Sequence, residues 1–269
     1  MNSYESLISQ AKIIVRAAGQ LILELEQRDF AIAVKSKDNY VTEIDLAVER
    51  YVVGCLRDLT PDFELFTEEG DSATADFSRP TWILDPVDGT TNLMRGYRHS
   101  AVSLALSIDE KPVIGLIYNP YADELYIAVT GCGATLNGSP IHVSSRSNLA
   151  DGLIGFGTTP YDRQLAHQTF EQVERIFLKS LEVRRSGSAA LDIAYVACGR
   201  LDGFFEQTLQ PWDYAAGSII LSEAGGRLTN WQNCPPNLRH GDSLLASNTL
   251  LHDILRRELL KEVIHNIRL

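Results

Sequence analysis

The sequence lacks paired cysteine. Cys55, Cys132, Cys198 and Cys234 are widely spaced and no CxxC pair occurs. That argues against a zinc knuckle and a thioredoxin-type site. The cysteines stand mostly in apolar or glycine-flanked contexts and read as small buried hydrophobes, which fits a reducing cytoplasm. Positive charge is also scarce: 24 Lys and Arg stand against 35 Asp and Glu, a formal net charge of −11. An acidic surface repels nucleic acid phosphate, so direct nucleic acid contact is not expected. The same excess repels an anionic small molecule unless a cation lies between. No basic region followed by an apolar block marks the start, MNSYESLISQAKIIVRAAG, so it does not read as a signal peptide. No apolar run approaches a membrane span, and the long uncharged stretch after Glu124 is broken by Gly, Asn and Pro, so no membrane association is expected. Internal repeats, long linkers and low-complexity segments are absent too.

What remains is an ordinary globular composition, 45% hydrophobic and 22% charged over 269 residues. A chain of this size buries a core without disulfides or structural metals. Apolar residues at helical spacing over residues 4–27 predict a helix with one apolar face. A second helix is predicted over 42–59, with Thr42 as N-cap and Glu43 and Asp45 in its first turn. The period then changes: residues 63–66, 82–85, 100–108, 113–118 and 124–129 read as strands. Asn137-Gly138 marks a hairpin turn before a short strand at 141–143. From 152 onward strands at 152–156, 181–184, 202–206, 227–230 and 244–247 alternate with helices at 163–179, 188–198, 211–223 and 249–263. The expected fold is α+β in residues 1–147, with a largely antiparallel sheet, and α/β in residues 148–269.

Five segments carry acids or small residues where chemistry could sit. In WILDPVDGTTN, residues 82–92, an apolar strand ends in Asp85 and Asp88, three apart across a proline that stops the strand. Gly89 allows close backbone approach, and the N–H groups after it could open a helix. Oxygen ligands beside free N–H groups suit a hard divalent cation and a phosphate, although a solvated acidic turn has the same look. FTEEG places Glu68 and Glu69 just after a strand, ordinarily surface charge. VTEID, residues 41–45, reads by itself as a capped helix start, with Lys35 and Asp38 upstream. PWDYAAG, residues 211–217, opens a small-residue helix with Asp213 in its first turn, where an acid also serves as dipole compensation. RRSGSAAL, residues 184–191, together with Glu206 at the end of DGFFE, leaves room for a polyol ring or makes a tight strand-to-helix turn.

Taken in order, KSKDNYVTEID, FTEEG, WILDPVDGTTN, RSGSAALDIAYVACG, LDGFFE and PWDYAAGSIILSEAGG resemble the inositol monophosphatase family of magnesium-dependent sugar phosphatases. The later segments are most similar to its bacterial members. The resemblance implies a layered αβαβα sandwich of the sugar phosphatase type, a homodimer, and a lithium-sensitive phosphomonoesterase acting on a phosphorylated polyol. It implies that Asp85 bridges two Mg²⁺ ions. Glu68 and the Val87 carbonyl complete the first site, Asp88 and Asp213 the second, and some members hold a third, weaker ion near Glu68. Few protein oxygens per ion is what Mg²⁺ prefers, and cations are a natural reason for acids to converge. One metal would supply the nucleophilic water by lowering its pKa. Thr90 and Asp45 would orient and deprotonate that water, with Glu68 counted beside them as catalytic. The phosphate would meet the N–H groups of Gly89 and Thr90. The polyol hydroxyls would meet Asp88, Glu206 and the Gly187-Ser188-Ala189 turn, with Asp213 alongside.

Some positions depart from the pattern. Gln210 stands three before Asp213, where several animal members carry His, which weakens transfer of an inositol preference. Thr67 precedes the glutamate pair where Gly is common. The loop Gly155–Pro160 takes no role from the resemblance, and Lys35 either screens the phosphate, holds a mobile loop at 30–42, or is merely solvated. Within the enzyme class the alternative is a broader sugar-phosphate phosphatase acting on fructose 1,6-bisphosphate, adenosine 3′,5′-bisphosphate or NADP. Outside it, the alternative is a regulatory protein-binding role.

Overall fold

The computed structural model describes residues 4–36, 39–70 and 75–261; Asp38 of the sequence reading lies outside them. Helix α1 (Glu5–Leu25) buries Ala11, Ile14, Val15, Ala18, Gly19 and Ile22 as one stripe. By length and composition alone α1 is long and apolar enough to cross a membrane, which corrects the expectation that no segment reaches that length. Its stripe packs against α2 and a sheet, the arrangement of an amphipathic outer helix. Strands β1 (Ile32–Ser36) and β2 (Asn39–Thr42) pair antiparallel, with Val34 opposite Tyr40. Segment 30–42 is thus largely a hairpin rather than a loop. Ile32 and Val34 are exposed, so no buried face marks it in the sequence. Helix α2 (Glu43–Leu59) opens as expected on Thr42, whose Oγ1 accepts from the N–H of Ile44 at 3.1 Å and Asp45 at 3.3 Å. Asp45 Oδ2 accepts from Thr42 N at 2.9 Å, closing a capping box.

A seven-stranded sheet follows in chain order: β3 (Glu64–Thr67), β4 (Thr81–Asp88), then, after the short helix α3 (Thr90–Met94), β5 (Ala101–Ile108), β6 (Lys111–Asn119), β7 (Glu124–Val129), β8 (Ala134–Leu136) and β9 (Ser139–Pro140). Only β3 and β4 run parallel. The turn at Asn137-Gly138 forms, but the strand expected at 141–143 does not; β9 ends at Pro140. Pro86 does not stop β4 either. The register slips between Asp85 and Asp88, and a bulge tolerates a residue without an N–H.

The second sheet has the order β11-β10-β12-β14-β13. It is built from β10 (Leu153–Phe156), helix α4 (Ala166–Phe177), β11 (Glu182–Arg184), α5 (Ala189–Ala197), β12 (Gly203–Leu209), α6 (Pro211–Glu223), β13 (Gly226–Thr229), β14 (Asp242–Asn248) and α7 (His252–Leu259). β10 is parallel to both neighbours, and β14 is antiparallel to both of its own. A 3₁₀ turn over Arg163–Leu165 replaces the expected first turn of α4. α7 begins later and ends earlier than predicted, and positions 262 and 263 lie outside the described residues.

The layers follow from alternation along the strands. On β4, Trp82 and Leu84 face a core shared with α1 and α2, while Ile83 faces one shared with α5 and α6. On β12, Phe204 joins the α5–α6 side, and Phe205 joins the core under α7. α5 and α6 therefore lie between the two sheets, and the outer helices complete an αβαβα sandwich. Each fully buried Leu or Ile contributes about 1.5–3 kcal/mol relative to exposure. α6 approaches the first sheet so closely that a Cβ on Gly115 would stand 2.5 Å from the Ala216 carbonyl oxygen. The cysteine reading is corrected: Cys132 and Cys234 are exposed, and Cys55 and Cys198 only partly buried.

His252 is fully buried at the start of α7, with ring nitrogens 2.9 Å from Thr229 Oγ1 and 2.8 Å from Ser247 Oγ. Burial, with Arg227 nearby, pushes its pKa down to about 4. The folded protein holds the ring neutral, whereas the unfolded chain takes up a proton below about pH 6.5. This contribution should be complete above pH 6.5 and fall by about 2–3 kcal/mol as the pH drops to 4. Denaturant unfolding of wild type and His252→Gln checks it. Their stability difference should shrink across that window, and a constant difference would contradict it.

Candidate active site

β4 carries Asp85 to the edge of the layer holding α5 and α6, and the bulge turns Asp88 toward the same point. Asp85 accepts from Val87 N at 2.9 Å. Asp88 Oδ2 accepts from Ala190 N at 2.8 Å and from the Ser188 hydroxyl. Asp213 sits in the first turn of α6, where its Oδ2 accepts from Gln210 N at 2.7 Å. Asp85, Asp88 and Asp213 each offer a carboxylate oxygen, all within 4.8 Å of one another. Burial, then the neighbouring acids, raises Asp85 and Asp213 well above the ordinary range. Asp88 is pushed up to about 6 by burial, against its bonds to Ser188 and Ala190. Three hard oxygen donors gathered in mutual repulsion fit a divalent cation such as Mg²⁺.

Glu68, just past β3, is not among those three oxygens. It lies close enough to Asp85 for each to act on the other electrostatically, but its Oε1 is 3.3 Å from Lys35 Nζ. Burial raises its pKa, and Lys35 opposes the rise. Lys35 also pairs with Glu69, whose carboxyl burial pushes up to about 7. Burial would lower the Lys35 ammonium, but the two glutamates outweigh it and the net shift is upward. Glu49, which the sequence reading passed over, anchors this corner. Its carboxylate accepts from Thr67 Oγ1 at 2.9 Å and Glu69 N at 3.0 Å.

Asp45 and Thr90, far apart in sequence, meet here. Thr90 Oγ1 lies 2.8 Å from Asp45 Oδ1 and 3.2 Å from the Val87 carbonyl oxygen. Asp45 is fully buried, and its pKa is raised by that burial against bonds from Thr42 and Thr90. Gly89 has φ +100°, where a Cβ would also press on the carbonyl oxygens of His99 at 3.1 Å and Gly187 at 3.2 Å.

Of these groups Glu68, Asp85, Asp88, Gly89, Thr90 and Asp213 line a cavity of about 270 Å³. Gly187, Ser188 and Ala189 form one wall, and Glu206 of β12 another. Glu206 accepts from Thr159 N at 2.7 Å, and burial pushes its pKa up to about 7. The loop without an assigned role thus has one: it holds Glu206. Gly157 lies against that carboxylate, and its Cβ would fall 1.8 Å from Oε2. Thr159 and Asp192 were missed in the sequence, since contact with β12 and Ser186 leaves no local signature. Arg185 is the one Lys or Arg among the described residues lining the cavity. Gln210 lines it too, and its backbone rather than its side-chain type fixes Asp213.

The layered fold is shared with phosphatases of the inositol monophosphatase superfamily, whose substrates are phosphorylated small molecules. The chain belongs to the inositol monophosphatase family, whose model matches residues 3–265. It is 34% identical over 244 residues to the Nus factor SuhB of Pasteurella multocida, covering 90% of this chain and 91% of that protein. It is 38% identical over 229 residues to inositol monophosphatase 3 of Solanum lycopersicum, covering 83% and 85%. The crystal structure of extragenic suppressor protein suhB from Bartonella henselae superposes with a TM-score of 0.89 at 32% identity, over 96% of this chain and all of that one.

Repulsion inside the cluster yields a prediction. Asp85→Asn should raise the thermal midpoint of chelator-treated protein by about 2–4 °C for each kcal/mol of repulsion relieved. Differential scanning calorimetry in EDTA measures it, and an unchanged or lowered midpoint would show that the carboxylates do not strain the fold.

Proposed function

We propose that the protein is a Mg²⁺-dependent phosphomonoesterase that hydrolyses inositol monophosphate to inositol and phosphate by direct attack of water. The observation that carries this is the cluster of Asp85, Asp88 and Asp213 beside the Asp45–Thr90 hydrogen bond. Asp85, Asp88, Asp213, Glu68 and the Val87 carbonyl would hold two ions, with a third near Glu68. Bound Mg²⁺ would lower the pKa of the attacking water and neutralise charge on the phosphate and the leaving oxygen, and water held at the second site would supply the proton that the departing alkoxide takes up.

The chain's own groups do the rest. Thr90 Oγ1 donates to Asp45 Oδ1, which leaves its lone pairs to accept from a water placed toward the cavity. As that water loses a proton, Thr90 Oγ1 takes it and passes its own to Asp45. Burial, which raises the Asp45 pKa, favours that transfer. The N–H groups of Gly89 and Thr90 meet phosphate oxygens. Asp88, Glu206 and the Gly187-Ser188-Ala189 turn orient the polyol, and Glu206 is held ready by Thr159. Lys35 must yield Glu68 when an ion binds there. We read residues 1–147 as the half carrying most ligands and residues 148–269 as the half carrying Asp213 and the polyol-facing groups. A homodimer in the cytoplasm completes the proposal.

Arg185 favours a second reading, a broader sugar-phosphate phosphatase. It forms no ion pair among the described residues and would suit a second phosphate, as in fructose 1,6-bisphosphate, adenosine 3′,5′-bisphosphate or NADP. The relatives named Nus factor SuhB support keeping a regulatory protein-binding role beside the enzymatic one.

Purified protein should release phosphate from inositol 1-phosphate with Mg²⁺, lose the activity in EDTA, and be inhibited by Li⁺. Thr90→Ala should lower kcat by about 10²-fold or more, and Asp88→Asn should abolish turnover with the fold intact by circular dichroism. Full turnover without a divalent ion would sink the mechanism. Turnover of the bisphosphates or NADP with none of inositol 1-phosphate would move the substrate to the second reading.

A further inference from the structure

Asp192 on α5 has no part in the reaction proposed above. It is 2% exposed, lines the cavity, and accepts a hydrogen bond from Ser186 Oγ at 2.7 Å. Ser186 Oγ in turn accepts from Ser188 N at 3.2 Å. A serine hydroxyl has one proton, and the other acceptor in reach, the Ser188 carbonyl oxygen, is 3.4 Å away. The nearer Asp192 carboxyl therefore takes the proton and leaves a lone pair facing Ser188 N. The Ser186 carbonyl is held from the other side by Asn92 Nδ2 at 3.0 Å. Across this turn Gly187 sits at φ +92°, a conformation that residues with a side chain rarely adopt. At its end Ser188 accepts from Leu191 N at 3.4 Å as the cap of α5 while its hydroxyl donates to Asp88 Oδ2. Ala190 N donates to that same oxygen, which leaves Asp88 Oδ1 clear of both donors.

We propose that Asp192 is a positioning residue for Asp88: through Ser186 and the Ser186–Ser188 turn it fixes which Asp88 oxygen faces the carboxylate cluster, and so sets divalent-cation affinity. This rests on reading Asp88 as a metal ligand. Such outer partners of a ligand typically change metal affinity or activity by about 10–100-fold when removed.

The test is Mn²⁺ binding, read from the paramagnetic resonance of the free ion, beside the Mg²⁺ dependence of phosphate release. Asp192→Ala and Ser186→Ala should each weaken Mn²⁺ binding by about tenfold. The double variant should be no weaker than either single one, because both cut the same chain. Ser186→Thr, which keeps the hydroxyl, should stay within about twofold of wild type. Ser186→Ala removes a single oxygen and serves if Asp192→Ala does not fold. A purely structural role would lower the thermal midpoint without changing Mn²⁺ affinity. Wild-type affinity in Ser186→Ala, or additive losses in the double variant, would overturn the proposal. Asp88→Asn separates the two readings: if it binds Mn²⁺ like wild type, the metal-site reading itself fails.

Discussion

The organising constraint is the burial of like charges at one point. Asp85, Asp88 and Asp213 bring oxygens within 4.8 Å of one another, with Glu68 beside them. Removing several carboxylates from water and pressing them together costs free energy that no hydrophobic contact there recovers. The fold offsets part of the cost locally. Each acid of the three receives a backbone N–H: Val87 for Asp85, Ala190 for Asp88, Gln210 for Asp213. These bonds secure the side chains while charge remains to be balanced, as a divalent ion would balance it. Under the proposed function that cost is tied to activity: the site would be unfavourable in the absence of a divalent ion.

That constraint reaches into the packing. The three acids come from one strand of the seven-stranded sheet and from α6 of the middle layer, so the site exists only if the layers are in register. One core joins Ile83, Ala105 and Ile117 of the first sheet to α5, α6 and Phe204 of the second. Gly115 lets α6 approach the sheet, and the α6 N-terminus then lands opposite the β4 bulge. The bulge matters as much. An uninterrupted pleat would keep Asp85 and Asp88 on opposite faces of β4, since side chains three apart alternate. The slip at Pro86-Val87 puts both on the side of the cavity.

This explains what was legible in the sequence. Helices α1, α2 and α6 could be read because their apolar spacing, caps and terminal glycines are local signals; α6 matches residue for residue. The central strands were legible for the same reason. The β1–β2 hairpin was not, because Ile32 and Val34 of β1 are exposed and give no buried face to find. Pro86 misled because its local meaning, a strand stop, is overruled by a bulge that only the neighbouring strand defines. Within the site, Asp85 and Asp88 could be suspected from spacing. The pairing of Asp45 with Thr90 could come only from resemblance, since residues 45 apart carry no shared periodicity. Glu49, Thr159 and Asp192 hold other residues through tertiary contact, and nothing in their own segments announces it.

Charge closes the argument. A chain with net charge −11 is a poor receptor for an anion, and its cavity carries one Arg against many acids among the described residues. The cation needed at the far end has a counterpart in the chain: Lys35, on a hairpin outside the main sheets, reaches Glu68 and Glu69. An ammonium there relieves the same repulsion that a divalent ion would relieve, at the acid the cluster leaves out. Lysine is a compact point charge on a flexible stem, so it can withdraw without disturbing the layers, which a guanidinium locked in a fork would do less readily. The exposure of β1 at Ile32 and Val34 fits that use: under the proposed function the strand carrying Lys35 would give way to an incoming ion, and it is not anchored in a core.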